Sequence, residues 1–199
     1  MKKLKKIGLF GGSFNPIHIG HLIVANFFVC EFDLDYCFFQ PTFISPFKLH
    51  QENTVSEQHR LKMISLAIRG NPKFKIDTYE IDKAGISYSF ETILHFRAKF
   101  PNSTIFFLVG SDQIDKFTQW KNWKVILENS YLVVAKRDFK PENKNFVPSE
   151  YADNIYFLNN PIIGISSTQI REFISNNIPI DYLVPKEVKK YIFDNKLYK

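Results

Sequence analysis

Short apolar runs rich in β-branched and aromatic residues alternate along this chain with longer stretches in which apolar residues recur three and four apart, and this alternation limits the fold more than any other feature. The runs occupy 7–10, 36–40, 74–79, 104–109, 131–135 and 155–158; helical spacing covers about 21–32, 56–69, 89–99 and 123–128. Strands and helices that alternate in this way imply a parallel sheet with helices on both faces, an α/β doubly wound architecture. Its right-handed crossovers place binding loops at the carboxyl ends of the strands. Capping signals support the helix starts. Thr54-x-x-Glu57 precedes the second helix, Ser166-x-x-Gln169 precedes 170–174, and Pro185 stands where a last helix to Asp194 would open.

With 45% hydrophobic and 23% charged residues, and only 8 Gly and 10 Pro, the 199-residue chain falls outside the collagenous, disordered and disulfide-scaffold classes. A chain this long buries roughly 70% of its unfolded surface as one core, so a single domain over 1–199 is expected. The net charge of +6 attracts polyanions without choosing among nucleic acid, an acidic membrane face and a phosphorylated metabolite. Cys30 and Cys37 form no CxxC pattern and are expected to be plain thiols. The apolar stretch at 7–10 is too short for a signal segment, and nowhere do 18 apolar residues run together, so a cytoplasmic protein without a membrane partner is expected. Two long loops, 41–55 and 138–154, are candidate lids.

The densest chemical signal is Gly11-Gly12-Ser13-Phe14-Asn15-Pro16-Ile17-His18-Ile19-Gly20-His21, after the first strand and opening the first helix. It fits neither the Walker pattern nor G-x-G-x-x-G. It nevertheless has what a phosphate needs: glycines that admit a ligand to the backbone, and a helix start with unpaired amides and a positive dipole end. His18 and His21, three residues apart, project to the same side, where imidazole N–H groups can donate to phosphoryl oxygens. The rival readings are a metal site, which would want further ligands at recognisable spacing, and two histidines of no consequence.

These residues, G-G-S-F-N-P-x-H-x-G-H-L, resemble the signature of the nucleotidyltransferase superfamily, and closely that of the bacterial nicotinate-nucleotide adenylyltransferases. Later segments resemble that family in the same order: Pro46-Phe47-Lys48, the 56–68 helix with Arg60, Gly85-Ile-Ser-Tyr-Ser-Phe-Glu-Thr92, and Val109-Gly110-Ser111-Asp112 with Phe117 and Trp120. Ile165-Ser166-Ser167-Thr168-x-Ile170-Arg171 and Leu183-Val-Pro-x-x-Val188-x-x-Tyr191-Ile192 complete the series. The match spans nearly the whole chain.

The resemblance implies a Rossmann-like fold and adenylyl transfer from ATP to nicotinate mononucleotide in NAD biosynthesis, giving nicotinate adenine dinucleotide and pyrophosphate. It implies catalytic roles for His18, His21, Lys48 and Arg171. It places ATP on Gly11, Gly12, Ser13, Gly110, Asp112, Ser166, Ser167, Thr168 and Arg171, and nicotinate mononucleotide on Phe14, Lys48, Ser89, Trp120 and Lys121. Ser13, His18 and His21 would hold phosphates, Asp112 would lie near the riboses, and Trp120 would stack on the pyridine ring. Main-chain amides at Ser87-Tyr88-Ser89 and Trp120-Lys121 would meet the nicotinate carboxylate. Donors there favour the acid over the amide nucleotide, whose NH₂ would face donors with a donor. No protein metal site is expected; Mg²⁺ would be held mainly by ATP phosphates and water.

Physical alternatives stand beside several of these roles. Ser166, Ser167 and Thr168 could simply cap a helix, Asp112 could be an N-cap, and Trp123 reads as a core residue. Three positions depart from the family pattern: Phe47 for His before Lys48, Ser89 for Thr, and Glu91 for Asp before Thr92. Phe47 removes a polar contact from the acceptor side.

The other enzyme reading is an adenylyltransferase for nicotinamide mononucleotide or another phosphomonoester such as phosphopantetheine, although the latter family has Thr at the position of His18. His18-Ile19-Gly20-His21 also equals a signature of class I aminoacyl-tRNA synthetases, but the chain is short for one and has no K-M-S-K-S partner. A nucleic-acid module would use the charge with 9 Tyr and 21 Phe, yet these rings mostly fall on expected core faces, so no nucleic-acid partner is expected. The whole assignment requires that two distant turns, 11–21 and 165–171, meet around one cavity.

Overall fold

A computed structural model of the chain describes residues 5–46, 55–137 and 144–199. Strands β1 (Lys6–Gly12), β2 (Tyr36–Pro41), β3 (Phe74–Ile76), β4 (Thr104–Gly110), β5 (Tyr131–Ala135) and β6 (Ile155–Leu158) form one sheet. Their order is β3-β2-β1-β4-β5-β6, and every pairing is parallel. The order reverses between β1 and β4, which leaves a crevice at the carboxyl ends of those two strands, where open α/β sheets bind ligands.

The helices are α1 (Ile19–Glu31), α2 (Glu57–Ala67), α3 (Tyr79–Lys83), α4 (Ser89–Lys99), α5 (Ser111–Ile114), α6 (Trp123–Asn129), α7 (Ser167–Ser175) and α8 (Lys186–Asp194). The period of two along the strands divides the interior into two apolar layers. Cys37, Phe39, Phe106, Leu108 and Val133 meet residues of α1, α2, α7 and α8 on one face. Ile7, Leu9, Ile105, Phe107 and Leu132 meet α4 and α6 on the other. Close packing shows at Gly8, where a Cβ atom would stand 2.6 Å from both Leu34 and Phe28. Phe117 is buried in the second layer, and Trp123 packs against it and Tyr151 as the expected core residue.

Two local expectations are corrected. The third strand stops at Ile76 rather than 79, because the Asp77 carboxylate accepts from the Tyr79 amide at 3.1 Å and from the Lys99 ammonium at 2.8 Å. Thr78 Oγ1 then donates to Asp82 at 2.6 Å, and the chain turns into α3. A side chain that bonds the backbone two residues on diverts a strand into a turn. The second helix is capped by Ser56, whose Oγ accepts from the His59 amide at 3.4 Å. Glu57 is therefore the first helical residue and cannot reciprocate a cap from Thr54, which lies outside the described residues. At α7 the expected reciprocal cap is present: Ser166 Oγ accepts from the Gln169 amide at 3.2 Å, and Gln169 Oε1 from the Ser166 amide at 3.0 Å.

Among the described residues, no helix is long and apolar enough to cross a membrane. Cys37 is buried and Cys30 exposed, and both are free thiols.

Candidate active site

The crevice opens into a cavity of about 790 Å³ whose walls include Gly11, Gly12, Ser13, His18, His21, Gly110, Asp112 and Trp120, together with the start of α7. The two distant turns do meet. Arg171 Nη1 donates to the Asn15 carbonyl at 2.9 Å, and Ser167 Oγ donates to the Pro16 carbonyl at 2.9 Å. The three hydroxyls of 166–168 thus build the cradle: one caps α7, one ties the first turn, and Thr168 Oγ1 accepts from Arg171 Nη2 at 3.3 Å. What the start of α7 offers an anion is its dipole and the amides its first turn leaves without intrahelical partners.

Each glycine of the first turn has its own reason. Gly11 has only Phe107 within 4 Å of where a Cβ would be, so its missing side chain leaves room in the cavity. A Cβ on Gly12 would stand 3.2 Å from the Phe14 ring, and one on Gly20 would stand 3.1 Å from the His18 imidazole. Those two glycines accommodate protein rings. Phe14 lines the cavity, but it is 2% exposed and, at a φ of 46°, its ring packs against Phe10, Phe39 and, at 5.0 Å, His21. It supports a histidine while bordering the cavity.

His18 and His21 stack at 3.6 Å. The His18 amide donates to His21 Nδ1 at 3.2 Å, which fixes the His21 tautomer with its proton on Nε2, a donor suited to phosphoryl oxygen. His18 is 2% exposed, and burial, with a smaller contribution from the Arg137 charge, lowers its pKa to about 4. It is therefore neutral near pH 7. Because this folded value lies below the unfolded 6.5, the unfolded chain binds the proton first as the medium becomes acidic. The contribution of a neutral buried His18 to stability is intact above about pH 6.5 and is lost between 6.5 and 4. From pH 7 to 5 we expect a loss of about 2 kcal/mol, absent in His18→Gln, measured by urea unfolding across that range.

Asp112, in the first turn of α5 just beyond β4, pairs with Arg137 Nη1 at 3.3 Å, while the Arg137 amide donates to Ser111 Oγ at 3.0 Å. Gly110, not Asp112, stands at the N-cap position of α5. A Cβ on Gly110 would meet Asp112 Oδ1 at 2.3 Å, so glycine is required for this carboxylate to lie back over the strand end. Arg137 escaped sequence reasoning; the signal that could have found it is a cation immediately following a strand, at the carboxyl edge. Arg60, named in the sequence only as part of the 56–68 segment, is 1% exposed on α2, and its Nη1 donates to the Ser13 carbonyl at 3.0 Å and to the Thr42 carbonyl at 2.6 Å.

Elsewhere on the cavity wall, Trp120 is half-buried, its indole edge-on to Phe107 at 6.4 Å and tilted on Phe117 at 5.4 Å. Lys121 reaches back so that its ammonium lies 4.2 Å from the centre of the Tyr88 ring. The two segments expected to meet one carboxylate, 87–89 and 120–121, are thereby neighbours, and Ser89 opens α4 at the same wall. Lys48, with Phe47, lies outside the described residues.

The cytidylyltransferase-like family matches residues 9–173. Over 198 residues the chain is 37% identical to nicotinate-nucleotide adenylyltransferase of Bacillus subtilis, covering 98% of this chain and 99% of that one. The chain belongs to the nicotinate-nucleotide adenylyltransferase family. Its fold is shared with nicotinic acid mononucleotide adenylyltransferase of Plasmodium falciparum. That structure complexed with NaAD aligns at a TM-score of 0.79 and 21% identity, over 98% of this chain and 97% of that one. The structure of the same enzyme complexed with APC aligns at 0.78 and 21% identity, with the same coverage. The matched range takes in both the turn after β1 and the start of α7, the two pieces that Arg171 and Ser167 bind to each other here.

Proposed function

We propose that the chain, acting as a single domain, transfers the adenylyl group of ATP to nicotinate mononucleotide. The observation that carries this is the union of the 11–21 turn with the start of α7 on a cavity that Trp120 and the 87–89 turn also line. The first pair suits a polyphosphate and the second an aromatic acid. The full-length likeness to the Bacillus subtilis enzyme supports the same substrates.

In this reading the acceptor's 5′-phosphate oxygen attacks the α-phosphorus of ATP in line, the bond from that phosphorus to the bridging oxygen breaks, and pyrophosphate leaves. No protein nucleophile is needed; positioning and neutralisation of charge carry such a transfer. Gly11 and Gly12 bring the backbone to the nucleotide. Ser13, His18, His21, Arg171 and the amides of Ser167 and Thr168 hold phosphates, while Ser166, whose amide and hydroxyl are engaged with Gln169, caps the helix that presents them. Gly110 and Asp112 meet the adenosine ribose. Trp120 stacks on the pyridine ring, amides of Ser89 and Lys121 meet its carboxylate, and Lys48 supplies positive charge to the transferring phosphates.

Among the described residues, no cluster of three His, Cys, Asp or Glu side chains could hold a metal ion. Mg²⁺ brought in by the triphosphate would have its shell filled mainly by phosphate oxygens and water, and would neutralise charge on the leaving group.

A pyrophosphate-release assay with ATP and Mg²⁺ tests the proposal. Turnover with nicotinate mononucleotide should exceed that with nicotinamide mononucleotide by about 100-fold, the discrimination expected when a carbonyl-side donor set meets NH₂. Equal or greater turnover with nicotinamide mononucleotide or phosphopantetheine would overturn the assignment.

A further inference from the structure

Glu80 is absent from every role assigned above, yet it is a carboxyl only 7% exposed, on the short helix α3 at the cavity wall. Thr92, on α4, donates its hydroxyl to Glu80 Oε1 at 2.6 Å. Ser87 is a neighbour of the same carboxyl, and its Oγ accepts from the Phe43 amide at 2.9 Å. The Ser87 amide donates to the Ile44 carbonyl at 2.9 Å, and Ile44 bridges to Ile86. The carboxyl therefore ties α3 to α4 beside the 87–89 turn, whose Ser87 is itself held to the chain leaving β2. Its second oxygen, Oε2, is sealed from solvent with no hydrogen-bond partner among the described residues. A packed apolar residue would serve stability at lower cost, because a carboxyl buried with an unmet oxygen pays a desolvation penalty. Burial correspondingly raises its pKa, opposed by Thr92, Ser87 and Lys83.

We propose that Glu80 is a positioning residue for the acceptor: by accepting from Thr92 and lying beside Ser87, it fixes the 87–89 turn in the geometry that receives the mononucleotide's acid group. The proposal rests on the function proposed above. It assigns Glu80 no contact with ATP, whose cradle at 11–21 and 165–171 is braced by other groups. Sealed from solvent, Glu80 acts through the turn and not on the substrate itself.

The experiment is steady-state kinetics of the full chain with both substrates varied, comparing wild type with Glu80→Ala, Glu80→Gln and Thr92→Val. Loss of the buried acceptor should raise KM for nicotinate mononucleotide about tenfold or more in Glu80→Ala, with KM for ATP changed by less than about twofold. Glu80→Gln keeps an acceptor oxygen of the same reach and should restore the mononucleotide KM to within about threefold of wild type. Thr92→Val removes the donor at constant shape and should give a smaller rise, again confined to the acceptor. Values of KM that rise together, or that do not move, overturn the positioning role. Should Glu80→Ala fail to fold, the same comparison in Thr92→Val decides the matter. Wild-type protein that does not turn over nicotinate mononucleotide overturns the proposed function and this inference with it. Active wild type with unsplit constants overturns the inference alone.

Discussion

Substitution of His21 by Ala is expected to lower kcat by about 10²- to 10³-fold, the usual effect of removing one preorganised donor from developing phosphoryl charge. The size of the effect follows from the tautomer. Because the His18 amide occupies Nδ1, the His21 proton is held on Nε2 without any cost at the moment of reaction. Folding should be little affected: His21 is half-exposed, and its edge contact with Phe14 is worth about 1 kcal/mol. A second readout accompanies the first. With the stacked partner gone, water reaches the His18 ring, its pKa rises from about 4 toward 6.5, and the acid-side loss of stability becomes shallower. Wild-type turnover in purified His21→Ala would remove this imidazole from the reaction.

The second large effect is expected at Arg60. Its replacement by Met preserves volume but leaves the part-buried carbonyls of Ser13 and Thr42 without this donor. A fully buried unsatisfied acceptor costs about 1–3 kcal/mol, so these two together would cost at most about 2–6. Part of that is recovered, because the guanidinium itself is buried with Nε and Nη2 lacking hydrogen-bond partners among the described residues, and burial lowers its pKa. We expect a net loss of about 2–3 kcal/mol, a fall in Tm of about 5–10 °C at this chain length, measured by calorimetry. Since Ser13 belongs to the turn proposed to hold the ATP phosphates, KM for ATP should also rise about tenfold. A variant with unchanged Tm and unchanged KM for ATP would show that Arg60 braces nothing.

The parts of the molecule legible in its sequence are those with local causes. The strands and the long helices follow from apolar spacing, and the box at Ser166 and Gln169 lies within four residues. The first turn was recognisable because glycines and histidines are concentrated in a few positions. What escaped depends on contacts remote in the chain. The third strand ends early because Asp77 finds Lys99, 22 residues later. Phe14 does line the cavity, but its ring also packs on Phe39, from a different strand. Arg137 is an ordinary cation on the page, and only the fold brings it to Asp112; Arg60 stood in a recognised segment, but only the fold shows that it reaches the Ser13 carbonyl. Spacing could not show that Gly12 and Gly20 make room for Phe14 and His18, because the neighbours they spare are side chains whose directions the sequence does not display.

The cradle's halves are joined by hydrogen bonds that span 151 and 156 positions, from Ser167 to Pro16 and from Arg171 to Asn15. A growing polypeptide cannot assemble such a receptor until α7 has emerged and folded back, well after β1 has formed. Nucleotide capture consequently reports on completed tertiary structure, and any affinity for it is converted by mass action into resistance of the entire unit to unfolding. A molecule that reads its fuel this way inspects its own assembly before it can spend any.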